Sequence, residues 1–269
     1  FGRVCDRGDL RPMVTLAVPN VPLGTYPRHP VAAATRRAPN LYIRAGAQTY
    51  VKGVDLPPIR EGHYVPVLED RARYIANCYD ALPDVDAKNP AVERAYNALI
   101  VEIIAQWEFV SEKLGIRIEA WNGDGQPYQN SQEMMDDLRD SDHLFIFTGG
   151  APHPYLKEIH VETGYTANDL FRGIHDIFGH AAEGFGFGAK GEENAWLAHS
   201  QMFSPIAQKA MNTETRQTSA WVNFGRHNYD ADGRHRHTSL TDRPYATQKA
   251  ALLPDACCDW QRVLDEARG

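Results

Sequence analysis

The feature that most constrains the fold is a long segment, residues 90–114, whose apolar side chains recur at steps of three and four. This spacing places them on one face of an α-helix, so it predicts a long amphipathic helix that packs into the core. Pro90 suits the first turn of such a helix, and Gly115 suits its end. The apolar positions are Val92, Tyr96, Leu99, Ile103, Trp107 and Val110.

Other segments predict a mainly α (α+β) fold, with a bundle-like helical core and a small β-sheet. Thr166 and Asp169 resemble a capping pair that starts a helix at Ala167. Two stretches with strand-like apolar patterns, residues 116–121 and 143–148, predict the sheet. Further helices are predicted over residues 65–82, 131–139, 192–203, 205–223, 242–253 and 255–267.

Residues 1–64 differ from the rest of the chain. Eight of the 17 prolines fall within residues 1–58, where no helical period is visible, so we expect an extended N-terminal arm over residues 1–64. This arm has nine Lys and Arg against four Asp and Glu, a net charge of +5. Since the whole chain carries −7, residues 65–269 carry −12. That acidic part argues against non-specific nucleic-acid binding.

The cysteines and the apolar runs suggest where the protein works. Cys5, Cys78 and the adjacent pair Cys257 and Cys258 show no CxxC spacing, which favours a reducing compartment and excludes a structural zinc knuckle. No stretch approaches the roughly 18 to 20 apolar residues of a membrane span, and the start does not resemble a signal peptide. We therefore expect a cytoplasmic protein with no membrane partner.

The strongest chemical signal is His175-Asp176-Ile177-Phe178-Gly179-His180. Imidazole is a favoured ligand of iron, zinc and copper. Five residues turn an ideal helix by about 500°, so the two rings would point about 140° apart. Gly179 could loosen or end the helix and swing His180 back toward a metal. Asp176 could accept a hydrogen bond from a ring N–H.

This motif resembles the iron-binding motif of the aromatic amino acid hydroxylases, a pterin-dependent and mainly helical family. The resemblance implies that His175 and His180 bind iron and that a glutamate several tens of residues downstream completes the site. Glu214, which follows His180 by 34 residues, matches that glutamate best, and Glu193 is its competitor. The family's pterin-binding and amino-acid-binding residues have no match here, although the resemblance keeps pterin as a candidate cofactor.

A longer similarity links the chain to uncharacterised phage and bacterial proteins, for which no function follows. It runs through Asn168-Asp169-Leu170-Phe171-Arg172, the two histidines, Gly191-Glu192-Glu193-Asn194-Ala195-Trp196, His199, Thr213-Glu214-Thr215-Arg216 and Trp221-Val222-Asn223.

Two histidines and one carboxylate form a facial triad that leaves three positions of an octahedral iron open. We therefore expect residues 65–269 to be a catalytic domain in which His175, His180 and Glu214 hold Fe(II). Dioxygen would be the co-substrate, and a small organic, amino-acid-like substrate would be oxidised. Glu193, His199 and Arg216 would then support the metal or contact that substrate.

Three alternatives remain open. A zinc or manganese ion on the same ligands would suit a hydrolase, including a phosphohydrolase, because His175-Asp176 also occurs in such enzymes. A dinuclear iron oxidase would add His199, Glu192 and Glu102 to Glu214. In a non-catalytic binding protein, the two histidines would only stabilise the helix. The sequence does not indicate the oligomeric state.

Overall fold

A computed structural model describes residues 37–236 and 242–266, and this part of the chain is mainly helical with a small parallel sheet. The predicted fold class is therefore confirmed. The helices are α1 (Leu41–Gly53), α2 (Glu69–Ala81), α3 (Pro90–Phe109), α4 (Ser131–Ser141), α5 (Ala167–His175), α6 (Ala189–Ser200), α7 (Pro205–Asn212), α8 (Thr218–Phe224), α9 (Asp255–Cys258) and α10 (Trp260–Glu266). The strands are β1 (Arg117–Ala120) and β2 (His143–Ile146).

Helix α3 lies at the centre of the core, as the spacing of its apolar residues predicts. The Asn89 side chain caps its start by accepting a hydrogen bond from the Ala91 amide, and Pro90 occupies the first turn. The helix ends in the left-handed conformation at Gly115, where φ is 68°. Tyr96 and Leu99 have no exposed surface, and α5 and α7 pack against the helix.

The two strands and α4 form a β1–α4–β2 unit that supports α5. The strands pair in parallel, with Ile118 opposite Leu144 and Ala120 opposite Ile146. A β-carbon at Gly173 would lie 3.1 Å from Ile146 Cγ2, so the glycine lets α5 approach the sheet without displacing Ile146. The capping box of Thr166 and Asp169 forms as predicted and starts α5.

Three helices continue as π-helical segments, in which backbone hydrogen bonds join residues five apart instead of four. Residues Val110–Leu114 extend α3, Asp176–Ala181 extend α5, and Thr213–Gln217 connect α7 to α8. The second segment carries His180, and the third carries Glu214.

The N-terminal arm is not extended throughout. Residues 1–36 of the predicted arm lie outside the described residues, but α1 falls within the remainder. Its start is capped by the Asn40 side chain, and Ile43, Tyr50 and Val51 are buried in the core. The expectation was wrong here because thirteen proline-free residues with a helical period lie inside a proline-rich stretch.

The helix predicted over residues 242–253 is also absent, because the backbone there bonds to other elements. The Ala250 amide donates to the Asp84 carbonyl (2.7 Å), and the Ala251 carbonyl accepts from the Thr213 hydroxyl (2.7 Å). The last predicted helix is divided at Asp259 into α9 and α10. In the described part of the chain, no helix is long and apolar enough to cross a membrane.

Candidate metal centre

The π-helical segment that follows α5 brings His175 and His180 together. His175 is the last residue of α5, and the Ala182 amide donates to the Ile177 carbonyl five residues earlier (3.0 Å). Wider turns of this kind offset the angular divergence of an ideal helix. The two ring centroids are 5.2 Å apart, with the ring planes at 86°. The helix does not end at Gly179; it widens over the segment Asp176–Ala181 that contains this glycine.

The carboxylate that joins the two histidines is Glu192, in the first turn of α6. One ligand atom from each of the three residues lies within 4.8 Å of the other two. Glu192 Oε1 is 3.6 Å from His180 Nε2, and the Glu192 side chain is 25% exposed. That carboxylate has no other ion pair or hydrogen bond in the described part of the chain, so it is free to turn toward a cation.

Hydrogen bonds on the far side of both rings orient them. His180 Nδ1 donates to the main-chain carbonyl of Phe185 (3.2 Å), so Nδ1 carries a proton and Nε2 is the ring nitrogen that faces Glu192. His175 Nδ1 lies 3.1 Å from His199 Nδ1, and His199 Nε2 lies 2.8 Å from Gln106 Oε1. Metal-binding histidines need such partners, but here they are not the expected Asp176.

Burial and mutual repulsion keep two of the histidines neutral. Burial lowers the pKa of His175 well below its ordinary value, and His180 and His199 lower it further. Burial also lowers the pKa of His199, to about 3. At His180 burial also lowers the pKa, but Glu192, Asp176 and the Phe185 carbonyl together outweigh it, so the pKa is raised. The centre thus offers one neutral imidazole and one imidazole held by a carboxylate.

Asp176 lies next to this group without joining it. Burial raises the pKa of its carboxyl to about 6, and Glu192 contributes in the same direction. Its carboxylate has no hydrogen-bond partner among the residues the structure describes. Asp176 is therefore an acidic group beside the two histidines whose carboxyl is not engaged by another described residue.

Aromatic rings pack against the histidines of the centre. Phe171 stacks on His175 and His199 at centroid distances of 6.0 and 5.9 Å, and Phe187 contacts the His180 ring edge-on at 5.1 Å. Phe203 packs 4.9 Å from His199. This wall restricts water on one side, whereas the partly exposed Glu192 leaves the other side open to solvent.

Glu214, the expected third ligand, lies elsewhere. Its carboxylate accepts hydrogen bonds from Tyr96 Oη (2.5 Å) and His153 Nε2 (3.1 Å), and its ligand atoms are not in the group with His175 and His180. The third π-helical segment turns Glu214 toward α3, where these two donors satisfy its carboxylate.

Glu193 and Arg216 contact each other instead of the centre. Arg216 Nε donates to Glu193 Oε2 (3.0 Å), its Nη2 donates to Glu193 Oε1, and its guanidinium stacks 3.9 Å from the Trp196 ring. Arg216 is 3% exposed, so this is an internal ion pair. Glu102, named in the dinuclear alternative, accepts from the Ser204 amide (2.8 Å) and also lies outside the group.

The roles of Glu192 and Gln106 in the centre were not predicted from the sequence. Glu192 follows His180 by only twelve residues, and a short connection between helices makes them antiparallel neighbours. The first turn of α6 must then lie beside the last turns of the preceding helix, and this signal could have identified Glu192. No comparable signal marks Gln106, which lies 69 residues before His175.

No family model matches this chain, and neither a curated protein nor a solved structure is significantly similar to it. The assignment of function therefore depends on the geometry of the site.

Proposed function

We propose that this protein is a mononuclear non-haem iron(II) oxygenase or hydroxylase in which His175, His180 and Glu192 hold the metal. The observation that carries the proposal is the grouping of these three side chains, whose ligand atoms lie within 4.8 Å of one another. Two imidazoles and one carboxylate are the donor set of facial-triad iron enzymes. The proposal keeps the expected chemistry and replaces Glu214 by Glu192.

His175, His180 and Glu192 offer donor atoms that suit a divalent cation, and the Glu192 carboxylate is able to move toward one. Ligand distances of about 2.0 to 2.2 Å require neighbouring donor atoms to approach to about 3 Å. The 3.6 Å between His180 Nε2 and Glu192 Oε1 is close to that value, and Glu192 can supply the remaining movement because nothing else holds its carboxylate.

Within this proposal, the protein orients the donors and controls access. Bound iron would supply the activation of dioxygen. The Phe185 carbonyl and His199 hold the two rings, while the buried Phe171 covers His175 and Phe187 packs edge-on against His180. The solvent-exposed side at Glu192 is where a small organic substrate would enter. Asp176 is positioned to accept a proton near that side.

A zinc- or manganese-dependent hydrolase is the second candidate function. It is favoured by Asp176, whose uncommitted carboxyl has a pKa raised to about 6, mainly by burial, as suits a general base near neutral pH. The His175-Asp176 doublet suggested a phosphohydrolase, but Asp176 is not among the candidate ligands. The group formed by His175, His180 and Glu192 therefore favours iron chemistry.

Anaerobic purification followed by elemental analysis tests the proposal. We expect one iron per chain, lost in His175→Ala, His180→Ala and Glu192→Ala but retained in Glu214→Ala, with all four variants folded by circular dichroism. With ascorbate as reductant, the iron-loaded protein should consume dioxygen faster than Glu192→Ala. Stoichiometric zinc or manganese would support the hydrolase instead. Metal-free protein that binds no added iron, zinc or manganese would overturn both functions.

A further inference from the structure

A chain of buried hydrogen bonds runs from the Met202 main-chain carbonyl through Gln106 and His199 to His175. Gln106 Nε2 donates to the Met202 carbonyl (3.2 Å), and Gln106 Oε1 lies 2.8 Å from His199 Nε2. His199 Nδ1 in turn lies 3.1 Å from His175 Nδ1. Gln106 and His199 have no exposed surface, so water cannot replace either partner.

The order of donors and acceptors along this chain follows from its first member. The Met202 carbonyl can only accept, so the amide nitrogen of Gln106 must face it, and the amide oxygen faces His199. Because that oxygen also only accepts, the proton of the neutral His199 ring must be on Nε2. His199 Nδ1 is then unprotonated and accepts the hydrogen bond, so His175 Nδ1 carries the proton between the two histidines.

We infer that Gln106 is a positioning residue that acts through His199 to fix the tautomer of His175, so that His175 Nε2 presents its lone pair to a metal. This inference rests on the proposed metal centre. In the opposite tautomer, His175 Nε2 would carry a proton and could not bind a cation. His199 itself is excluded as a ligand, because hydrogen bonds engage both of its ring nitrogens.

The two metal-binding histidines are thus fixed in the same tautomer by different means. His180 uses the Phe185 main-chain carbonyl, which a side-chain substitution cannot remove. His175 depends on two side chains, so its tautomer can be changed by mutation. Loss of such an outer partner typically weakens metal binding by about 10- to 100-fold.

Gln106→Leu and Gln106→Glu form the test pair. Leucine keeps the approximate volume but removes the acceptor, so His199 can carry its proton on Nδ1. The direction of the hydrogen bond between the two histidines would then reverse, and the His175 proton would move to Nε2. Glutamate keeps an acceptor for His199 Nε2. We expect Gln106→Leu to bind Fe(II) about 10- to 100-fold more weakly and Gln106→Glu to recover most of that loss.

Gln201→Leu is the matched control. Gln201 is also buried, at 4% exposure. It forms hydrogen bonds with the Leu197 carbonyl and the Arg60 amide, and it takes no part in the hydrogen bonds from Gln106 to His175. It should lose stability without a comparable loss of iron affinity. If Gln106→Leu folds and binds Fe(II) as tightly as the wild type, or no more weakly than Gln201→Leu, the inference is wrong.

Histidine side-chain ¹⁵N NMR of the metal-free protein provides a readout that does not depend on metal binding. We expect His175 protonated on Nδ1 and His199 on Nε2 in the wild type and in Gln106→Glu, with the reverse pattern in Gln106→Leu. A wild-type His175 protonated on Nε2 would overturn the inference. The proposed centre fails separately, if His180→Ala and Glu192→Ala retain their iron.

Discussion

Replacement of Gly179 by alanine probes the space between the two histidines. A β-carbon at Gly179 would lie 3.1 Å from both Cε1 and Nδ1 of His175 and 3.2 Å from the Ala195 carbonyl oxygen. These contacts are a few tenths of an ångström too short. The carbonyl belongs to α6, so the His175 ring is the group that must move. We therefore expect Gly179→Ala to displace His175 while leaving the fold intact.

The magnitude follows from two opposing contributions. Alanine within a helical segment stabilises the folded state by about 1 kcal/mol relative to glycine. Overpacking of a filled interior costs about 1 to 3 kcal/mol. The net change in the free energy of unfolding should thus be a loss of about 0 to 2 kcal/mol. Because the displaced ring is a proposed ligand that His199 can no longer hold, iron affinity should fall by about tenfold or more.

Urea denaturation and anaerobic Fe(II) titration measure the two effects. Gly53→Ala is the control, because a β-carbon at Gly53, the last residue of α1, meets nothing within 4 Å. It should gain up to about 1 kcal/mol and leave iron affinity unchanged. If Gly179→Ala is as stable as Gly53→Ala and binds iron like the wild type, the close packing around His175 is not needed for metal binding.

Three further outcomes are expected. Glu193→Ala leaves the buried Arg216 guanidinium unpaired, so urea denaturation should show a loss of about 3 to 5 kcal/mol while iron content is unchanged. Glu214→Gln disturbs two buried donors and should cost about 1 to 3 kcal/mol, again with iron retained; loss of iron would instead support Glu214 as a ligand. Burial, with a smaller contribution from Glu102, raises the pKa of Tyr50 from 10 to about 12, so its stabilising contribution is complete below pH 10 and is lost as the pH rises through 12. Tyr50→Phe should remove this alkaline loss, which amounts to at most about 3 kcal/mol, and an unchanged pH profile of unfolding would refute it.

Local patterns in the sequence were sufficient to predict most of the helical framework. The apolar spacing of α3, its Pro90 start and its Gly115 end each depend on neighbours only a few residues away along the chain, and the structure has all three. The Thr166 capping box is equally local. Such features depend on the backbone conformation of one segment, so they can be recognised without knowledge of the remaining chain.

Which residues form the site depends on packing between segments distant in sequence, so these residues were harder to predict. The sequence identified His175 and His180 as a pair, but it did not indicate the π-helical segment that makes a five-residue spacing suitable. The sequence favoured Glu214, with Glu193 as its competitor, and indicated Glu192 only for a dinuclear site. Only the placement of α6 against that segment, and the satisfaction of Glu214 by Tyr96, distinguish Glu192 from Glu214.

Anomalous diffraction at the iron absorption edge, from crystals grown anaerobically with Fe(II), tests the central claim most directly. We predict one iron peak at about 2.0 to 2.2 Å from His175 Nε2, His180 Nε2 and a Glu192 carboxylate oxygen. An iron bound by Glu214 or Glu193 in place of Glu192, or the absence of a peak beside the two histidines, would contradict the account.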